Sequence, residues 1–235
     1  DFNARISGYY TRICDQSKVI SYYDDVAATF TNFAMSGIDK VHFGLEAAVS
    51  IPIYHTLALN GAVSWGQYTY DSNPYYLQTQ DNSGDIVSDG YVYWKDFRVE
   101  STPQTAVNVG LSWRSNNNIY LSADFNYYNN MYLSMSPIYR TDAVITGGMA
   151  PGDIEHLRRQ EKFDSAYTLN ASIGKNWYIH RKYTLGFSLD VKNILNNQDI
   201  KTGGYEQTRL SKNTETTVTT YQAFDSKYFY MFGTT

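Results

Sequence analysis

The feature that most constrains this chain is an alternation of apolar and polar residues with period two, restarting after each turn. In an extended strand, successive side chains point to opposite faces of a sheet. The clearest stretch sets Val41, Phe43, Leu45, Ala47, Val49 and Ile51 on one face against His42, Gly44, Glu46, Ala48 and Ser50 on the other. After Pro52-Ile53-Tyr54-His55 the pattern resumes with Leu57, Leu59, Gly61, Val63 and Trp65, opposed by small or polar residues, so this reads as a hairpin.

The same grammar recurs twice. Val107, Val109, Leu111 and Trp113 lead through the turn Ser115-Asn116-Asn117-Asn118 into Ile119, Leu121, Ala123, Phe125 and Tyr127. Tyr167, Leu169, Ala171 and Ile173 lead through a turn near Tyr178 to Lys182 into Tyr183, Leu185, Phe187, Leu189 and Val191. Phe2, Ala4, Ile6 and Gly8 against Asn3, Arg5, Ser7 and Tyr9 supply one more strand. These strands read as about ten residues long, the length a tilted strand needs to cross a bilayer.

Long polar segments separate the hairpins, roughly 71–104, 133–164 and 194–227, so short and long connections alternate. Unstructured loops of that length are uncommon in a compact soluble domain but normal on the outer side of a membrane barrel. Trp65, Trp113, Trp177, Tyr54 and Tyr183 are expected at strand ends, where an aromatic girdle meets the membrane boundary. The fold class is therefore all-β, an antiparallel transmembrane barrel, with about eight strands in this chain. A secreted β-sandwich or adhesion domain would alternate similarly and is the competing class.

Composition narrows the partners. Of 235 residues 16% are aromatic, 23 of them Tyr, which suits strands and water-lipid interfaces. No run approaches the roughly 18 apolar residues of a membrane helix, and any secretion signal is expected upstream of Asp1. A net charge of −4 offers no basic footprint for nucleic acid. Cys14, the single cysteine, allows no internal disulfide and is expected near a strand end. The polar strand faces consist mostly of Gly, Ala, Ser, Thr and Asn, too small to fill a barrel lumen by themselves. A wide barrel holding water or a folded plug is implied.

Several phrases resemble the later barrel strands of TonB-dependent outer-membrane receptors. They are Gly8-Tyr9-Tyr10-Thr11-Arg12, the stretch from Ser36-Gly37-Ile38-Asp39 to Gly44-Leu45-Glu46, Ser101-Thr102-Pro103-Gln104-Thr105-Ala106, and Val191-Lys192-Asn193-Ile194-Leu195-Asn196-Asn197. In that family a phrase like the last closes the penultimate strand, and Phe232-Gly233-Thr234-Thr235 resembles the opening of the final one. The resemblance implies the C-terminal part of a 22-stranded barrel, cut before its last strand is finished. It also implies a plug domain, a TonB contact upstream, and active nutrient uptake in the outer membrane of a Gram-negative bacterium. Some relatives work beside a lipoprotein lid that captures glycans or peptides. A porin-like diffusion channel is the alternative.

No catalytic motif is present, and His42, His55, His156 and His180 are scattered without ligand spacing, so neither an enzyme nor a cofactor or metal centre is expected. Asp81, Asp85 and Asp89 lack the spacing and closing glutamate of a calcium loop. Tyr75, Tyr76, Tyr91, Tyr93 and Trp94 cluster in the first long loop and are candidates for stacking on a ligand, or for packing the loops together. Arg5, Glu46, Asp124, Asp190 and Lys192 are expected to face the lumen and pair with a plug.

Overall fold

The computed structural model describes residues 2–24, 28–100, 102–146, 160–180 and 182–200. Nine strands form one antiparallel sheet: β1 Asn3–Asp24, β2 Thr29–Tyr54, β3 Leu57–Tyr70, β4 Tyr75–Gln80, β5 Ile86–Tyr91, β6 Thr105–Arg114, β7 Ile119–Asn129, β8 Ala166–Ile179 and β9 Tyr183–Val191. Seven of them, β1-β2-β3-β6-β7-β8-β9, pair as successive neighbours, while β4 and β5 form a side hairpin on β2. β1 and β9 are the outer edges of that wall, and among the described residues the sheet does not close.

Register carries the alternation across the wall. Leu45 faces Trp65, Leu59 faces Leu111, Val109 faces Phe125, Phe125 faces Leu169, and Ile173 faces Leu189, so one face is a continuous apolar sheet. That face is open: Leu45, Leu111, Phe187 and Leu189 are about half exposed. On the other face Asn60 donates to Ser112 (3.2 Å), Asn108 to Asn126 (2.9 Å) and Asn126 to Thr168 (3.4 Å), and the Ser122 and Ser172 hydroxyls meet at 2.7 Å. Polar side chains satisfy one another along that face.

Several expectations need correction. β1 and β2 have 22 and 26 residues, far beyond the expected ten. At about 3.3 Å per residue β2 spans roughly 85 Å. Trp65 accordingly lies within β3, which runs on to Tyr70. β2 continues through Pro52-Ile53-Tyr54, leaving His55-Thr56 as a two-residue turn. Cys14 sits in the middle of β1, beside a register shift, and not near a strand end.

The segment 71–104 is no plain loop, since it contains the β4–β5 hairpin. Pro74 and the turn before Ile86 delimit two short runs rich in Tyr, Ile, Val and Thr, whose interleaved polar residues hide them from a hydropathy reading. The segment 133–164 holds a 3-10 turn, Ile138–Arg140, and α1, Asp142–Thr146. His156, most of the expected loop 194–227, and Phe232 to Thr235 lie outside the described residues.

A bulge decides where the core forms. In β2 the buried side chains are Thr31, Phe33 and Met35, then Ile38, so the alternation shifts by one place around Gly37, whose φ is +73°. The pairing with β1 also slips between Ile13, Gln16 and Lys18. One extra residue moves every later side chain to the opposite face. Odd-numbered apolar residues before Gly37 therefore share a face with even-numbered polar ones such as His42 and Glu46.

The resulting core comprises Tyr22, Phe33, Met35, Ile38, Tyr70, Tyr76, Val92, Trp94, Met135, Ile138 and Tyr139. Burying each large side chain contributes about 1.5–3 kcal/mol. Connecting segments are sewn over it: Arg98 donates its amide to Gln160 (2.8 Å), Gln160 donates back to the Arg98 carbonyl (2.8 Å), and Val92 bridges Thr141.

Candidate binding face

Side chains on the polar face of five adjacent strands share one hollow of about 460 Å³. Arg5 and Ser7 come from β1, Glu46 and Ala48 from β2, Ala62 and Ser64 from β3, Asn108 from β6, and Asn126 and Tyr128 from β7. For five neighbouring strands to line one hollow, the sheet must curl toward its polar face.

Glycines keep this wall smooth. Gly44 and Gly66 lie in register with Tyr9, and a Cβ at either would collide with its hydroxyl. Gly174 lies opposite Tyr120, whose ring occupies the space a Cβ would need. Tyr9 and Tyr120 thus lie flat across a neighbouring strand, and Tyr68 lies over Gly66 of its own strand.

Above the hollow the Tyr9 and Tyr68 hydroxyls meet at 2.6 Å, and the His42 ring lies 4.7 Å from that of Tyr68. The cap core follows, with Phe33 stacked on Tyr76 at 4.6 Å and Tyr70 against Trp94 at 4.7 Å. Lys18 and Lys40 place ammonium groups 5.7 and 5.3 Å from the Trp94 and Tyr70 rings. In the cap, Arg140 donates to the Ser136 carbonyl (2.8 Å) and lies over Phe97. Burial pushes its pKa down to about 10, so it stays charged at neutral pH.

The five loop aromatics are split by the hairpin. Tyr76 and Trp94 are 1% and 2% exposed, inside the cap. Tyr75 and Tyr91 pair directly across β4 and β5 and turn the opposite way, their exposed rings 5.7 Å apart. Tyr75 donates to Asp89 at 2.6 Å, and that bond to a carboxylate raises its pKa. Tyr93 is exposed, its amide held by the Arg140 carbonyl.

Of the five charged wall residues, Arg5 and Glu46 share the hollow. Asp124 reaches over Gly110, Asp190 pairs in register with Ser172, and Lys192 lies just beyond the end of β9, so these three do not join them. Among the described residues no group of His, Cys, Asp or Glu is placed to hold a metal ion.

The residues that the sequence reading passed over are Tyr9, His42, Tyr68 and the Asn108–Asn126 pair. A signal for them exists, since each occupies a polar-face position of an alternating strand. Comparison with family models, curated proteins and solved structures returned no match for this chain.

Proposed function

We propose that this chain is a section of a wide outer-membrane β-barrel, and that the parent protein is a TonB-dependent receptor importing a scarce nutrient. The observation that carries the membrane part is the height of the open apolar face. Trp65 and Trp113 stand on rows eight residues apart, joined by the pairs Trp65–Thr105 and Leu57–Trp113. At about 3.3 Å per residue those rows are roughly 26 Å apart along the strands, a height of about 20 Å at the 35–45° tilt usual for barrels. An outward apolar band of comparable height, about 25 Å, between aromatic girdles is what a membrane barrel requires. Tyr54 joins the lower row, and Trp177 and Tyr183 lie beyond it toward the same short-turn end.

The receptor part is supported by what lies beyond the band and within the wall. Past Leu45, the partner of Trp65, β2 runs on for sixteen residues to Thr29, and the cap folds back over the polar face. The many small residues of the polar face suit a wide lumen that holds a plug, and on this reading the barrel has the family's 22 strands. A folded cap over the lumen suits selective capture better than open diffusion. A lipoprotein lid and the TonB complex are partners of the same reading.

The test is energy dependence. The full-length protein should fractionate with the outer membrane, and uptake of its nutrient should collapse when TonB is deleted or a protonophore is added. Uptake that survives both treatments would replace the receptor with a diffusion channel. Recovery in the soluble periplasmic or secreted fraction would return the sheet to the β-sandwich class.

A further inference from the structure

Arg5 and Glu46 face the same hollow, yet no ion pair joins them. In register Arg5 is opposite Ala48 while Glu46 is opposite Ser7, which makes them diagonal neighbours, near enough for one small molecule to span both. Such positions are about 7–8 Å apart. Both residues are exposed, and among the described residues no ion pair engages either charge. Between and beside them the floor is Ala48, Ala62 and Ala106, leaving space for a short side chain. Ser64, Asn108 and Asn126 add hydroxyl and amide groups along the edge.

We infer that this hollow is a subsite for a small zwitterion, an amino acid or short peptide with free termini, whose carboxylate meets Arg5 and whose ammonium meets Glu46. The inference rests on the uptake reading above and names its substrate class. Three features select that chemistry. An ion of one sign would meet one attractive and one repulsive charge, whereas a dipolar molecule satisfies both. A guanidinium accepts a carboxylate as a two-pronged partner, and a carboxylate accepts an ammonium. At about 460 Å³ the hollow lies within the roughly 300–1,000 Å³ of small-molecule sites.

The experiment uses the full-length protein in lipid nanodiscs and three calorimetric probes: alanyl-alanine, the same dipeptide with acetylated and amidated ends, and a neutral disaccharide. Alanyl-alanine should bind, and Arg5→Gln and Glu46→Gln should each weaken it roughly tenfold or more, as expected when one charged hydrogen bond is lost. The blocked dipeptide should fail to bind. Retained heat-modifiable migration on gels would establish that both variants are folded, and Arg5→Lys should recover part of the affinity. Equal binding of blocked and free dipeptide would overturn the inference, since an internal stretch of polypeptide would then suit the hollow as well. Binding of the disaccharide alone, or unchanged affinity in both variants, would overturn it too while leaving TonB-dependent uptake intact. Loss of TonB dependence with zwitterion binding retained would overturn the uptake reading instead.

Discussion

Two stretches of β2 on either side of Gly37 show opposite sidedness. From Val41 to Ile51 the apolar side chains line the open outer face and the inner face is polar. From Thr31 to Met35 the inner face is the buried one, with Phe33 and Met35 packed against Tyr76 and Trp94. A single strand thus serves two environments by inserting one residue. In the first stretch the apolar residues stay open to the surroundings, and in the second the protein supplies its own core.

The largest expected effect comes from removing that core. Trp94→Ala should cost the cap about 3–5 kcal/mol, the usual loss for a buried aromatic. Limited proteolysis should then cut between 71 and 104 while the wall keeps its heat-modifiable migration. Simultaneous loss of both would mean that cap and wall are one cooperative unit, erasing the distinction between them. Trp94→Ala is accordingly a probe of packing; Tyr91→Ala and Tyr93→Ala are the variants that report on ligand contact.

Next comes the outer face. Val109→Arg, in the middle of the apolar band, should destabilise the lipid-reconstituted protein by about 2–4 kcal/mol, whereas Ser112→Arg on the inner face should be milder. Unfolding titrations that return equal costs would refute the face assignment. The bulge itself is a smaller term. Gly37 has φ of +73°, which costs an L-residue about 1–2 kcal/mol, and more if it is β-branched. Gly37→Val should loosen the junction, raising hydrogen exchange near Met35 and Ile38 more than near Leu111. Uniform protection would show that the strand can change faces without glycine.

The smallest effect concerns Tyr75. Its bond to Asp89 holds the hydroxyl protonated, raising the pKa above the ordinary 10.0. The stabilisation is therefore complete below pH 10.0 and is lost as pH climbs through the raised value. Carbon-13 tyrosine spectra, assigned by comparison with Tyr75→Phe, should show this ring titrating above the ordinary 10.0. Titration at the ordinary value would release the hairpin from that contact.

The wall was legible because alternation is local: Leu45, Val63, Leu111 and Ile173 each declare a face through their immediate neighbours, and short turns dictate which strands pair. The sequence alone therefore determined an antiparallel sheet with one apolar and one polar face, and the hairpins β2–β3, β6–β7 and β8–β9. It did not determine the reach of β1 and β2 or the β4–β5 hairpin, because strand pairing there depends on partners far along the chain and on side chains of mixed polarity. Tertiary structure alone decided that Tyr76 faces the core while Tyr75 faces out. It alone decided, too, that Arg5 and Glu46 meet in one hollow while Asp124, Asp190 and Lys192 stand apart. The reason is the bulge at Gly37 and the register of five strands: a shift of one residue reverses every face beyond it, and nothing in the local pattern announces the shift.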